Sequence, residues 1–128
     1  MDENEIAREI LDAAFKVHTT LGPGLLESVY EAVLAKELER RGFTVDRQRS
    51  IPILYGDLAF EEGFRADLVV EDKVLIELKS VEAVVNVHKK QLLTYLRLSD
   101  KRLGLLINFG GSRIKDGITR IVNGLADS

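Results

Sequence analysis

The sequence predicts one α/β (α+β) domain built on a single mixed sheet. Three observations carry that prediction. Apolar residues recur at helical spacing up to residue 41, change to strand-like patterning between residues 43 and 79, and return to helical spacing near residue 84. The 128 residues suit one domain, spanning 1–128, that can bury a sizeable core. No repeat or low-complexity run interrupts the chain, and it holds only two Pro.

The elements follow in order. Ile6, Ile10, Ala13, Ala14, Val17 and Leu21 lie at helical spacing, so the first helix runs from Glu3 to about His18, and Gly22-Pro23-Gly24 breaks it. A second helix is expected from Leu25 to Arg41, with Leu26, Val29, Tyr30, Val33, Leu34 and Leu38 as a wide apolar face and Gly42 as its stop. Phe43 to Tyr55 reads as a strand, and Pro52 places it at a sheet edge. Gly56-Asp57 is a turn, and Leu58 to Val70 is a second strand with Gly63 at a bulge. After Glu71-Asp72-Lys73, the run Val74-Leu75-Ile76-Glu77-Leu78-Lys79 is apolar enough for a central strand. Val84 to Leu98 is helical, with Val85, His88, Gln91, Leu92, Tyr95 and Leu96 inward. Leu103 to Phe109 is a fourth strand, Gly110-Gly111 a turn, and Ile114 to Val122 a last strand.

Composition removes several functions. With no Cys there is no disulfide, thiolate zinc site or cysteine nucleophile, and two His leave no His-rich metal site. The apolar runs are far shorter than the ~20 residues that span a bilayer, so no membrane partner is expected. The acidic start MDENEIARE lacks the apolar core of a secretory signal, and the expected location is cytoplasmic. The formal net charge of -3 argues against a phosphate-bearing partner only until it is divided. Residues 1–39 carry nine acidic and three basic side chains, whereas residues 85–128 carry eight basic and three acidic ones. A local field steers a partner more than the total does.

Polar groups within apolar strands mark the candidate chemistry. Glu77 and Lys79 share a strand face, because side chains alternate. If Glu71-Asp72-Lys73 is a three-residue turn, Asp67 falls opposite Glu77, with Cβ atoms about 5 Å apart. A two-residue turn would send Asp67 to the other face. Two readings stay open. One is an Asp67–Lys79 or Glu77–Lys79 ion pair on a solvated face. The other is a Mg²⁺ or Mn²⁺ site, with hard oxygen ligands and Lys79 orienting a water. Glu27 opens the second helix, where it complements the helix dipole, and Tyr30 lies one turn on. His88, Gln91 and Tyr95 form one helical stripe, and His18 near a helix end reads as structural.

These residues resemble a known family. Gly24-x-x-Glu27-x-x-Tyr30, preceded by His18-x-x-Leu21-Gly22-Pro23-Gly24, is similar to the signature of the GxxExxY family, and the resemblance runs from about Glu5 to Gly124. That family is similar to the PD-(D/E)XK nuclease superfamily. The resemblance implies a restriction-endonuclease-like αβββαβ core with a central mixed sheet flanked by helices, plus an extra N-terminal helix. It implies that Asp67 is the Asp of the PD half and that Glu77-Leu78-Lys79 is the (D/E)XK half. Asp67, Glu77, the Leu78 carbonyl and Glu27 would hold Mg²⁺ or Mn²⁺, and Lys79 would position the water or act as general base. Gln91-x-x-x-Tyr95 matches the exonuclease branch's helical motif, so Gln91, Tyr95, Tyr30 and His88 would bind substrate or shape the site. Ala66 stands where the motif name has Pro.

The expectation is therefore a Mg²⁺-dependent nuclease acting on DNA or RNA. The alternative is a catalytically silent nuclease-fold module that binds nucleic acid or a protein partner. A third reading is a subunit of a self-assembled oligomer, with a C2 homodimer through the N-terminal helices or another patch.

Overall fold

A computed structural model describes residues 1–126. Helix α1, Glu3–Leu21, starts at a capping box in which the Glu5 N–H donates to Asp2 Oδ1 at 2.8 Å and the Asp2 N–H donates to Glu5 Oε1 at 3.1 Å. It stops at Gly22, whose φ of 74° suits a residue without Cβ. Helix α2 spans Glu27–Arg40. Strands β1 (Val45–Tyr55), β2 (Leu58–Val70) and β3 (Val74–Lys79) follow, then α3 (Asn86–Ser99), β4 (Leu103–Asn108), a 3₁₀ turn at Ile114–Gly117 and β5 (Ile118–Val122).

The sheet order is β1-β2-β3-β4-β5. β3 and β4 pair parallel, with α3 as the crossover between them, and the other neighbours pair antiparallel. This is the expected mixed-sheet α+β architecture with an N-terminal helix. β3 is central and the Pro52-bearing β1 is an edge. Pro52 and Gly63 lie at an irregularity: between the pairs Ile51↔Phe64 and Ile53↔Phe60, Pro52 alone faces three residues of β2.

Two apolar layers cover the sheet. Ile6, Ile10, Val17, Tyr30, Leu34 and Leu38 of α1 and α2 pack on Leu68, Ile76, Leu78, Leu105 and Ile107. Leu92 and Leu96 of α3 pack on Ile51, Phe64, Ala66, Val69, Leu75 and Leu106. Arg41 ties the first layer together by reaching Asp12 at 2.8 Å and Glu37 at 3.3 Å. α1 is thus part of the main core and not an appendage to it.

Three expectations are corrected. The wide face of α2 is only half covered: Tyr30, Leu34 and Leu38 are buried, while Leu26, Val29 and Val33 are exposed. The covered stripe repeats every four residues and faces α1 and the sheet, and the other three lie around the helix from it. In α3, Leu92 and Leu96 are buried but Val85 precedes the helix and is exposed, and Gln91 is exposed too. The last strand does not begin at Ile114. Residues 114–117 form the 3₁₀ turn, where a Cβ on Gly117 would lie 2.6 Å from the Asn108 carbonyl oxygen.

Candidate active site

The site grows from the β2–β3 hairpin. Its turn contains three residues, Glu71-Asp72-Lys73, with φ of 54° at both Glu71 and Asp72 and the Lys73 N–H bonded to the Val70 carbonyl at 3.0 Å. The resulting register pairs Val70 with Val74, Val69 with Leu75 and Leu68 with Ile76. One step further, Asp67 faces Glu77. There the backbone ladder ends and side chains replace it. The Asp67 N–H donates to Glu77 Oε1 at 3.3 Å, and the Leu78 N–H donates to Asp67 Oδ2 at 2.8 Å. N–H and C=O of one strand residue point to the same edge, so the Leu78 carbonyl also points into this gap.

Burial pushes the Glu77 carboxyl up to about 8, and the neighbouring Asp67 charge adds to the rise; the Asp67 N–H and the Lys79 ammonium oppose it. Lys79 is half-buried on the same strand, and among the described residues no carboxylate lies within ion-pair distance of it. The simple ion-pair reading of Lys79 is therefore not what the structure shows.

Glu27 is the first residue of α2 and is exposed. The loop before it is clamped twice. The buried Tyr30 hydroxyl donates to the Gly22 carbonyl at 2.5 Å and accepts from the Leu25 N–H at 3.2 Å, while the Ser80 hydroxyl donates to the Leu25 carbonyl at 2.6 Å. Tyr30 stacks on Phe109 with ring centroids 4.4 Å apart. Glu27 lines a hollow of about 300 Å³ with Ser28, Glu31, Gln48, Asp67 and Leu78. Glu77 and Lys79 are not among its walls.

On α3, Tyr95 stacks on Phe64 with centroids 3.8 Å apart. Burial raises its phenol, the Glu77 and Asp67 charges raise it further, and a hydrogen bond with Gln91 opposes them. The Tyr95 hydroxyl therefore feels the charge of both acids, and Gln91 is tied to Tyr95. At the start of the helix, His88 Nδ1 accepts from the Val85 N–H at 3.3 Å. His18 is structural, with Nε2 2.9 Å from the Gly111 carbonyl oxygen.

Sequence reasoning missed Glu31 and Gln48. Glu31 is buried. Its Oε2 accepts from Arg47 Nε and Nη2 at 3.2 and 3.1 Å, and its Oε1 accepts from Gln48 Nε2 at 2.5 Å. Its spacing of four from Glu27 on one helix was the available signal. Gln48 also donates to Asp67 Oδ1, at 3.3 Å. Nothing in the sequence marks it, because its φ of 51° follows from the fold.

Among the described residues no three His, Asp or Glu side chains converge closely enough to hold a metal by themselves. The donor set nonetheless fits a hard, water-rich cation. Among the described residues Asp67 and Glu77 confront each other with no ion pair to either, and the gap adds one carbonyl. A cation there would offset the repulsion that now raises Glu77.

The comparisons agree with this architecture. Residues 4–121 match the sequence family described as the PD-(D/E)XK nuclease superfamily. The fold is similar to that in the crystal structure of SSO0001, with a TM-score of 0.57 and 22% identity. That match covers 78% of this chain but 49% of SSO0001, so the chain spans about half that protein's length. No curated protein matches the chain by sequence. Among the described residues no helix is long and apolar enough to cross a membrane.

Proposed function

The chain belongs to the PD-(D/E)XK nuclease superfamily, and on that premise we propose that it is a divalent-metal-dependent nuclease that hydrolyses phosphodiester bonds of DNA or RNA. We place it in the GxxExxY branch, as a single domain over residues 1–128. Supporting that placement, Gly24 has a φ of 98° and the Tyr30 hydroxyl closes the loop that presents Glu27.

The observation that carries the reading is the contact between Asp67 and Glu77 where the ladder ends, with Lys79 beyond it on the same strand. Asp67, Glu77 and the Leu78 carbonyl would hold Mg²⁺ or Mn²⁺, with Glu27 contributing from the adjoining hollow. The ion, when bound, supplies a Lewis acid for water and a counter-charge for the phosphate. Lys79 orients the attacking water and stabilises charge on the phosphate oxygens as the bond breaks. Gln91 and Tyr95 border the substrate strand, Tyr30 shapes the Glu27 loop, and His88 holds the start of α3. The basic excess of residues 85–128, including Lys89, Lys90 and Arg97, supplies the phosphate-facing flank.

Single- and double-stranded DNA and RNA, incubated with the chain in Mg²⁺, Mn²⁺ or EDTA, test this. Cleavage is expected only with metal, and Lys79→Ala should lower it by about 10²–10⁴-fold without unfolding the chain. A Lys79→Ala chain as active as the parent overturns the assignment. If Mg²⁺ produces no binding heat and Asp67→Ala leaves stability unchanged, the chain is instead a silent nuclease-fold module.

A further inference from the structure

β1 and β2 both lose their alternation at one level. On β1, Val45 packs with the α1–α2 layer and Ile51 with the α3 layer, although six positions apart they should share a face. On β2, Ala66 packs under α3 and Leu68 under α1 and α2, although they are two positions apart. The pairing keeps one register from Arg47↔Leu68 to Arg49↔Ala66, which puts Gln48 opposite Asp67 within that stretch. Gln48 has a φ of 51°, a left-handed conformation that residues with side chains avoid and that an ordinary strand does not need.

The strained residue is tied to the acid it faces. The Gln48 amide bridges two carboxylates, Glu31 at 2.5 Å and Asp67 at 3.3 Å. Both partners are acceptors, so its NH₂ group must be the end that faces them. Glu31 is buried and held at its other oxygen by Arg47. Asp67 then has one donor on each oxygen, Gln48 on Oδ1 and the Leu78 N–H on Oδ2. The donor from Gln48 is neutral. A Lys or Arg in its place would orient Asp67 equally well but would cancel the charge that a cation needs.

We propose that Gln48, anchored by Glu31, is a positioning residue that fixes the orientation of the Asp67 carboxylate while leaving its charge available. This rests on the reading of Asp67 as a metal ligand, but its geometric half can be tested without metal. Gln48→Gly removes the amide and suits the left-handed backbone, so the unfolding midpoint should be retained. In the metal-free chain, exchange of the Leu78 amide proton should accelerate at least about tenfold in this variant, because that N–H donates to a carboxylate no longer held on its other oxygen. With Mn²⁺, calorimetry should show weaker binding for Gln48→Gly and weaker still for Gln48→Lys. Unchanged Leu78 exchange in Gln48→Gly overturns the positioning role, whatever the metal result. Accelerated exchange in Gln48→Gly, together with a parent chain that binds no Mn²⁺, upholds the positioning role and instead sinks the metal-site reading. Parent-like Mn²⁺ affinity in Gln48→Lys overturns the claim that its neutrality matters.

Discussion

Glu77 is where one residue's environment carries the most consequence. Its folded-state pKa of about 8 lies above the ordinary value of 4.5, so the folded chain holds the proton more tightly than the unfolded one. The stability this contributes is complete below about pH 4.5 and is lost as pH rises through about 8. Glu77→Gln is neutral at every pH and escapes that loss. In EDTA, the variant should gain stability over the parent between pH 5 and pH 9, by a few kcal/mol at about 1.4 kcal/mol per pH unit. Denaturant unfolding at the two pH values measures it, and a pH-independent difference contradicts it. The types and spacing of Asp67, Glu77 and Lys79 were legible in the sequence because they interrupt apolar strands. The roles of Glu31 and Gln48 were not, since polar residues on a helix and an edge strand are ordinary until the fold brings them to Asp67.

At the scale of elements, one turn decides whether the candidate site exists. A two-residue connection after Val70 would have moved Asp67 to the opposite face. The three-residue form holds Glu71 and Asp72 at positive φ without glycine, and tertiary contacts help keep it there. The Thr44 N–H donates to Glu71 Oε2 at 2.9 Å, and Asp72 meets Arg49 at 2.6 Å and Lys101 at 3.2 Å. The segment after β3 is pinned in a similar way. Buried Asn108 accepts from the Val81 and Gly110 N–H groups and donates to the Val81 carbonyl. Gly110 lies so close to this segment that a Cβ there would sit 2.2 Å from the Val81 carbonyl oxygen. Gly110→Ala should therefore cost about 2–3 kcal/mol, measured by chemical unfolding. It should also disturb Ser80 and, through it, the Leu25 loop before Glu27. An alanine variant of parental stability would show that the segment is free to shift.

Over the whole molecule, α1 contributes Ile6, Ile10 and Val17 to the layer that covers the central strands. Burial of side chains of this size contributes roughly 1.5–3 kcal/mol each, which together is comparable with the ~5–15 kcal/mol stability of a typical domain. A chain starting at Gly22 is expected to lack a cooperative thermal transition by circular dichroism, and a parental melt would refute this. The charge division along the sequence also makes any nucleic-acid binding salt-sensitive, because the last third carries the excess of cations over anions. The sequence by itself determined the element types, their order and the central position of β3, and it named the acids that pair once the hairpin turn holds three residues. Those properties follow from periodicity and turn chemistry among near neighbours, a pattern that the chain carries before it folds. Only the tertiary structure decided which stripe of α2 is covered, that residues 114–117 leave the strand, that Gln48 turns left-handed and that Glu31 joins Asp67. Apolar spacing states which residues favour burial, but the partner that buries them or bonds to them comes from segments distant in sequence, whose placement follows from packing the whole chain.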